Sequence, residues 1–237
     1  MTILPRVIRP FQRTAWIPLI KEGDNSVLSS KFGGTPWLAQ DEQWPRCQHC
    51  GQPMPLFLQL NLNRLPEPVN ETFGAGLLQL FYCTNTEPHC ESECEAFFPF
   101  TQGKLVRVVE HDGCERSGEF PKNLQNFEPK WIVDWRGVSD YPGWEEGYAS
   151  GIELSDAEWE QLTEAGFPRS GAKLAGWPLW IQGIEYPHCP ICQSRMRLVF
   201  QLDSDDHVAY QFGDAGCGHI TQCLIHHSQV AFAWACS

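Results

Sequence analysis

Cysteine pairs with a two-residue spacing are the residues of this 237-residue chain that are best suited to chemistry. The first pair is Cys47 and Cys50, and the second is Cys189 and Cys192. Two thiolates separated by two residues can face one point when the backbone folds into a tight turn, and Gly51 gives the first turn the freedom it needs. Because this geometry suits a metal ion, each pair predicts half of a metal site.

Both cysteine pairs lie in a segment that the chain contains twice. Residues 31–60 and 173–202 are identical at eleven of thirty positions without a gap, at a constant offset of 142. Unrelated segments of ordinary composition would share about two positions. We therefore expect an internal duplication, with two similar halves in one compact body.

A further cysteine follows each pair at nearly the same distance. Thirty-two residues separate Cys50 from Cys83, and thirty separate Cys192 from Cys223. Packing alone does not keep thiols in paired turns, so we predict two structural Zn²⁺ sites, each with four ligands and no open position. The predicted ligands are Cys47, Cys50, Cys83 and Cys90 in the first half, and Cys189, Cys192, Cys223 and His226 in the second.

For the last ligand of each site, the sequence offers two residues of the same type and does not decide between them. Cys94 is the alternative to Cys90, and His227 is the alternative to His226, because the choice depends on turn geometry. Three further cysteines belong to neither set and have no neighbouring base that would make them nucleophiles. They are Cys114, Cys217 and Cys236.

The elements that must position these ligands are mostly strands. Residues 54–62 and 196–202 alternate apolar and other side chains with a period of two, which predicts strands with one apolar face. Further strands are expected within residues 1–30 and at 76–83, 95–100, 104–109, 131–135, 220–225 and 230–234. The predicted fold class is mainly β, a β-rich α+β protein with internally duplicated antiparallel sheets, a pseudo-two-fold relation and short helices.

Three regions follow from this pattern. Residues 1–109 are the first repeat with its N-terminal strands, and residues 173–237 are the second repeat. Residues 110–172 are an insert rich in Gly, Pro, Asp and Glu. The insert contains one predicted packing helix, which begins with a capping box formed by Ser155 and Glu158.

Composition restricts the classes of partner. The formal net charge of −12 argues against nucleic acid, because a phosphate backbone requires clustered Lys and Arg, and an acidic surface suits a basic protein partner. The N-terminus lacks the uninterrupted apolar stretch of a signal peptide, and no apolar run is long enough to span a membrane. We expect a cytoplasmic protein, in which thiols stay reduced and cysteine pairs bind metals more often than they form disulfides.

Catalytic interpretations of the same residues find less support. A thioredoxin-type cysteine pair precedes a helix that lowers the thiol pKa, whereas both pairs here lead into strands. His89 and Glu91 match the beginning of a zinc-deaminase motif, but the rest of that motif does not follow. The chain has no GxSxG, phosphate-loop or dinucleotide-binding motif. We therefore assign no catalytic residue and keep a zinc- or thiol-dependent enzyme as the alternative.

Motifs along the chain resemble a known family. FGGTPWL, WP, CxxCG, PLFLQLNL and GLLQLFYC, in this order, are similar to the YwqG-like family of bacterial domains of unknown function. The doubled CxxC with its later cysteines resembles the related programmed cell death protein 2 group. The likeness covers nearly the whole chain apart from residues 110–172. The second copy departs from it at His226 and His227, and at Ala175, where the first copy has Gly33.

This resemblance implies a β-rich, internally duplicated fold without known catalytic residues. For the eukaryotic relatives it implies a chaperone-like role towards a basic ribosomal protein, and for some bacterial ones an association with toxin-immunity loci. We therefore expect a non-catalytic zinc-binding module that binds another protein.

Overall fold

A single antiparallel sheet of ten strands is the framework of the protein, which confirms the predicted mainly-β fold. The computed structural model describes residues 4–23 and 25–237. The strands are β1 (Arg13–Lys21), β2 (Lys31–Phe32), β3 (Leu56–Asn61), β4 (Leu77–Tyr82), β5 (Lys104–Val109), β6 (Lys130–Asp140), β7 (Lys173–Ala175), β8 (Arg197–Asp203), β9 (Cys217–Gln222) and β10 (Val230–Ala235).

The two halves interlock at the centre of the sheet. The strands follow the order β10-β9-β8-β7-β1-β6-β2-β3-β4-β5, and the long strands β1 and β6 pair with Arg13 opposite Asp140. The other edge of β1 pairs with β7, and the other edge of β6 pairs with β2. β1 of the first repeat therefore joins β7 of the second, β6 from the segment between the repeats joins β2 of the first, and the order of strands is symmetric about the β1–β6 pair.

The outer strands β5 and β10 approach each other and nearly close the sheet. The backbone N–H of Trp234 donates to the carbonyl of Phe97 at 3.1 Å across this gap. Inside, the hydroxyls of Tyr82 and Tyr210 both donate to one carboxylate oxygen of Glu91, at 2.9 and 2.6 Å. These contacts join the two halves a second time, far along the chain from the central strands.

Both faces of the inner strands are buried, although the sequence pattern predicts only one apolar face. All six residues of β3 are buried, including Gln59. The Gln59 amide donates to the carbonyls of Val27 and Ser29 and accepts from the N–H of Trp37 at 3.0 Å. Loops therefore cover the second face and bind the polar side chains on it, which satisfies their hydrogen-bonding groups.

The second half repeats this arrangement of hydrogen bonds. The Gln201 amide donates to the carbonyls of Arg169 and Gly171 and accepts from the N–H of Leu179 at 2.8 Å. Each of these residues lies 142 positions after its counterpart in the first half. The glutamine that attaches the covering loops is therefore identical in the two copies, and its backbone partners keep their positions although their residue types differ.

Short helices lie outside the sheet. They are α1 (Glu67–Asn70), α2 (Cys90–Glu93), α3 (Trp144–Ala149) and α4 (Asp156–Glu164), with two 3-10 turns at Arg6–Phe11 and Leu62–Arg64. The predicted helix is confirmed as α4, and Ser155 and Glu158 form its capping box. The indole of Trp159 on α4 packs on Gly147 of α3, and a Cβ at Gly147 would lie only 2.0 Å from the indole. Glycine at this position therefore allows the two helices to pack closely.

Two predicted strands differ from the structure. Residues 95–100 form turns instead of a strand. The Lys104 side chain donates to the carbonyls of Ala96 and Phe98, so these carbonyls bind a side chain and not a neighbouring strand. The strand expected at 220–225 is β9, which starts three residues earlier and ends at Gln222. Because β9 ends at Gln222, Cys223 lies in the loop that follows the strand, and its side chain is not held in the alternation of the sheet.

Candidate metal centres

A tight turn just before β3 holds the first cysteine pair. The Cys47 N–H donates to the Gln52 carbonyl at 2.8 Å, and the Gly51 N–H donates to the Cys47 carbonyl at 2.9 Å. Gly51 has a φ of +70°, in the left-handed region that favours glycine. The turn therefore folds back on itself and directs both sulfurs to one side.

The structure brings the four predicted ligands of the first half together. Cys83 directly follows β4 and Cys90 opens α2, so three different elements supply the four sulfurs. The Cys50 and Cys83 sulfurs are 3.7 Å apart, those of Cys47 and Cys90 are 4.0 Å apart, and all four lie within 4.8 Å of one another. A tetrahedral ion bound to sulfurs at about 2.3 Å has S···S edges of about 3.8 Å, so the cluster fits such an ion.

The predicted ligands of the second half converge in the same way. The Cys192 and Cys223 sulfurs are 3.6 Å apart, and the His226 Nδ1 lies 3.7 Å from the Cys189 sulfur and 3.8 Å from the Cys223 sulfur. All four donor atoms lie within 4.8 Å of one another. This Cys₃His set also suits a tetrahedral divalent metal ion.

The second cysteine turn has the hydrogen bonds of the first, 142 positions later. The Cys189 N–H donates to the Ser194 carbonyl at 2.9 Å, and the Gln193 N–H donates to the Cys189 carbonyl at 2.9 Å. Gln193 occupies the place of Gly51 and has a φ of +59°. A side chain in the left-handed region costs about 1 kcal/mol, so the second turn keeps its shape against some backbone strain.

The structure places the donor atoms of the alternative ligands outside the two groups that converge, although Cys94 packs against the first cluster. Cys94 ends α2 beside Gly103, and His227 packs against Gly74. Neither belongs to a group of converging donor atoms among the described residues. Of the remaining cysteines, Cys217 is buried, Cys114 is exposed, and Cys236 is partly buried. The first choice at each position is therefore the one that lies with its cluster.

An apolar layer encloses the first cluster. Met54, Leu56 and Phe81 are buried and pack around its thiols. Burial raises the pKa of the Cys83 thiol to about 12 and also raises the pKa of the Cys90 thiol. A metal ion must displace these protons, because the thiolate is the form that binds metals.

The second cluster differs in its hydrogen bonding. Bonds from the Ser194 side chain and backbone lower the pKa of the Cys192 thiol to about 6, so this sulfur is largely a thiolate at neutral pH. The pKa of His226 is raised, and its hydrogen bond to Cys223 makes the largest contribution. Sequence reasoning did not identify Ser194 as part of the site. A signal was available, since Ser194 follows the CxxC pair by two residues.

No helix of the described residues is long and apolar enough to cross a membrane. Comparison with proteins of curated function found no match. The model of one protein family, described as a domain of unknown function (DUF1963), matches residues 30–236. That range includes both clusters and every strand except β1, and we conclude that the chain belongs to the DUF1963 family.

Proposed function

We propose that the protein is a non-catalytic, zinc-binding scaffold of the cytoplasm that binds another protein, in a chaperone-like or immunity-like role. The convergence of four donor atoms in each cluster carries this proposal. A tetrahedral ion with four protein ligands has no position left for water or substrate, which is the arrangement of structural sites. The likeness to the YwqG-like and programmed cell death protein 2 groups supports the same role.

Zinc is the metal that the donor sets favour. Thiolate and imidazole ligands in a tetrahedral arrangement select Zn²⁺ over Mg²⁺ and Ca²⁺, which prefer oxygen ligands. The ligands would be the eight residues of the two clusters, Cys47, Cys50, Cys83, Cys90, Cys189, Cys192, Cys223 and His226. Each ion would fasten a cysteine turn to the end of a strand, and the first would also hold α2, whose four residues are too few to form a stable helix alone.

Metal analysis of the full chain tests this part of the proposal. Protein purified without chelators should contain two zinc ions per chain, and Cys47→Ser and Cys189→Ser should each contain one. Cys114→Ser is the matched control, because Cys114 is exposed and lies outside both clusters. Metal-free wild-type protein with a complete cooperative unfolding transition would overturn the structural role.

Exposed apolar side chains around the second cluster support binding to a protein. Ile191 lies inside the cysteine turn and is 59% exposed, and Leu224 and Ile225, between the last two ligands, are 41% and 70% exposed. The first cluster has His49 at the place of Ile191, and its ring nitrogen contacts the Glu93 carboxylate at 3.0 Å. Apolar groups at a metal-stabilised turn are held rigidly, so a partner that buries them gains hydrophobic free energy at little entropic cost.

The chain's net charge of −12 favours a basic protein as that partner. The double variant Ile191→Ser, Ile225→Ser should lose a basic protein that co-purifies with the wild type, while its zinc content stays unchanged. Val133→Ser is the control, because Val133 is 49% exposed and lies on β6 instead of at a cluster. Equal recovery of the partner by all three proteins would contradict binding at this surface.

Thiol reactivity separates the scaffold from the alternative, a zinc- or thiol-dependent enzyme. In a structural site the zinc-loaded cysteines resist alkylation, so only cysteines outside the clusters should react. One hyperreactive cluster cysteine in the zinc-loaded protein, or a site with three ligands and exchangeable water, would favour the enzyme.

A further inference from the structure

A cleft of about 550 Å³ lies where residues of the two halves meet, and neither metal-ligand cluster explains it. Its walls come from β1, α1, α3 and the beginning of β8, which meet only in the folded chain. Cavities of about 300–1,000 Å³ are typical of small-molecule sites. We call it the arginine cleft after Arg13, Arg195 and Arg197, which line it.

The charge of the arginine cleft is opposite to that of the whole chain. Its lining contains three arginines and a single carboxylate, Glu146, whereas the net charge of the chain is −12. Arg195 pairs with Glu146 at 3.3 Å, but Arg13 and Arg197 form no ion pair with any described residue. Burial lowers the pKa of Arg13, Tyr186 and Glu146 oppose this shift, and the charge of Arg197 adds to it, so the Arg13 and Arg197 guanidinium groups lie within electrostatic reach of each other.

Aromatic rings hold two of the guanidinium groups in place. The Arg13 Cζ lies 3.3 Å from the centre of a Trp177 ring, and the Arg195 Cζ lies 3.8 Å from the centre of the Tyr186 ring. Stacking fixes the plane of a guanidinium group and leaves its edge accessible to acceptors. Arg13 uses one N–H group for the Gly176 carbonyl at 3.4 Å, and Arg195 uses one for Glu146. Donors that are fixed before binding lose little entropy when they bind an anion.

Glu146 positions this side of the cleft. It is 3% exposed and accepts from the Trp180 indole at 3.0 Å as well as from Arg195. Helix α3 carries it, and the packing of Trp159 on Gly147 fixes that helix. Glu146 therefore orients Arg195 and neutralises one arginine of three, which leaves an excess of positive charge.

The repeat does not need these arginines in order to fold. Arg195 and Arg197 occupy the places of Pro53 and Pro55 in the first copy, which forms the corresponding strand without them. Arg195 pairs with Glu146, but the exposed Arg197 has no counter-ion among the described residues, and like charges close to one another destabilise a protein slightly. Their presence at one end of the duplicated unit therefore indicates a role other than stability.

We propose that the arginine cleft binds a small molecule that carries an oxyanion, either a phosphate ester or a carboxylate, attached to an apolar or aromatic body. Arg13 and Arg197 would bind the oxyanion, since guanidinium groups form paired, charge-assisted hydrogen bonds with both kinds of group. The body would lie against the apolar part of the wall, which Trp16, Phe73 and Leu198 provide. The indole nitrogen of Trp16 is buried without a hydrogen-bond partner among the described residues.

Calorimetric titration of the full chain, with its metal as purified, tests this inference. The probes are phenyl phosphate, benzoate and the uncharged benzyl alcohol. We expect saturable binding of at least one anion at concentrations below about 10 mM and none of the alcohol. Binding of phenyl phosphate alone identifies a phosphate site, and binding of benzoate alone identifies a carboxylate site. Absence of saturable binding by both anions would overturn the proposal.

Charge-removing variants locate the binding. Arg197→Gln and Arg13→Gln should each weaken binding of the anion at least about tenfold, which corresponds to the loss of a charge-assisted interaction of about 1.4 kcal/mol. Lys122→Gln removes the same charge from an exposed loop far along the chain and should leave the affinity within about twofold. Because the Arg197 side chain has no hydrogen bond or ion pair with a described residue, and the backbone pairing of β8 with β9 does not depend on it, its variant should fold normally and keep its zinc. Equal affinities of Arg197→Gln and Lys122→Gln would show that the anion binds elsewhere.

Discussion

The two halves of the chain have the same cysteine turn with different surroundings. In the first half four thiols lie in an apolar layer, and burial raises the pKa of Cys83 to about 12. In the second half a histidine replaces one thiol, and Ser194 lowers the pKa of Cys192 to about 6. The turn itself is fixed by backbone hydrogen bonds that do not depend on the side chains. The two turns therefore share the geometry of the ligands, whereas the environment of the ligands differs.

A second difference concerns the buried lysine at the start of each copy. Lys173 forms a fully buried ion pair with Asp140 at 3.0 Å. Lys31, its counterpart, has no ion pair among the described residues; it donates to the Val27 carbonyl and lies over the Trp131 ring at 4.6 Å. Burial lowers the pKa of Lys31 to about 7. Burial also lowers the pKa of Lys173, but there the charge of Asp140 opposes the shift. The two halves therefore differ in the counter-ion and not in the burial of the lysine.

The largest expected effect comes from removing one ligand of each cluster. Cys47→Ser should lower the free energy of unfolding by more than about 5 kcal/mol, because the binding free energy of a structural zinc ion is also folding free energy. Cys189→Ser should cost less, since α2 in the first half also carries Glu91, which joins the two halves. Urea unfolding together with zinc analysis measures both effects. Normal stability of Cys47→Ser with one zinc ion fewer would contradict this prediction.

The next effect tests the two buried lysines. Asp140→Ala leaves the Lys173 ammonium buried without a counter-ion, and we expect a loss of about 3–5 kcal/mol at neutral pH. Lys31→Met, at the corresponding position, should change stability by less than about 1 kcal/mol, because it removes a polar group that burial already disfavours. Chemical denaturation of both variants gives the comparison. A larger loss for Lys31→Met than for Asp140→Ala would show that the roles are reversed.

The pH dependence of stability sharpens the same contrast. The pKa of Lys31 is about 7 in the folded protein and 10.5 for an unperturbed lysine, so between these values the unfolded chain binds more protons. Stability therefore rises with pH in this window, by about 1.4 kcal/mol per unit from this group. The difference between the wild type and Lys31→Met should shift by about 2 kcal/mol in favour of the wild type between about pH 7.5 and about pH 9. A difference that does not vary with pH would mean that Lys31 stays protonated.

The smallest expected effect exchanges residues between the two cysteine turns. Gln193→Gly should stabilise the protein by about 0.5–1 kcal/mol, because glycine adopts its φ of +59° without strain. Gly51→Gln should destabilise it by about 1 kcal/mol for the opposite reason. Thermal unfolding with zinc in excess resolves both shifts. Stability changes of the same sign in both variants would indicate that side-chain contacts, and not backbone strain, determine the effect of these substitutions.

Local patterns were sufficient to predict much of this structure. The alternating residues identified β3 and β8, and the capping box identified α4. The spacing of cysteines identified two groups of residues that the fold brings within 4.8 Å. These predictions succeeded because the alternation of residues in a strand, the capping box of a helix and the CxxC turn each involve residues that are close in sequence. The segment 95–100 failed because a lysine ammonium, and not a neighbouring strand, binds its carbonyls.

The sequence by itself determined the duplication, the mainly-β composition and the ligand sets of two candidate metal sites. Only the tertiary structure decided that β1 and β6 pair between the halves and that loops cover the second face of the sheet. It also brought Arg13 beside Arg197, more than a hundred residues later in the chain. Pairing between distant strands depends on how whole surfaces pack, which is not encoded in any short stretch of residues.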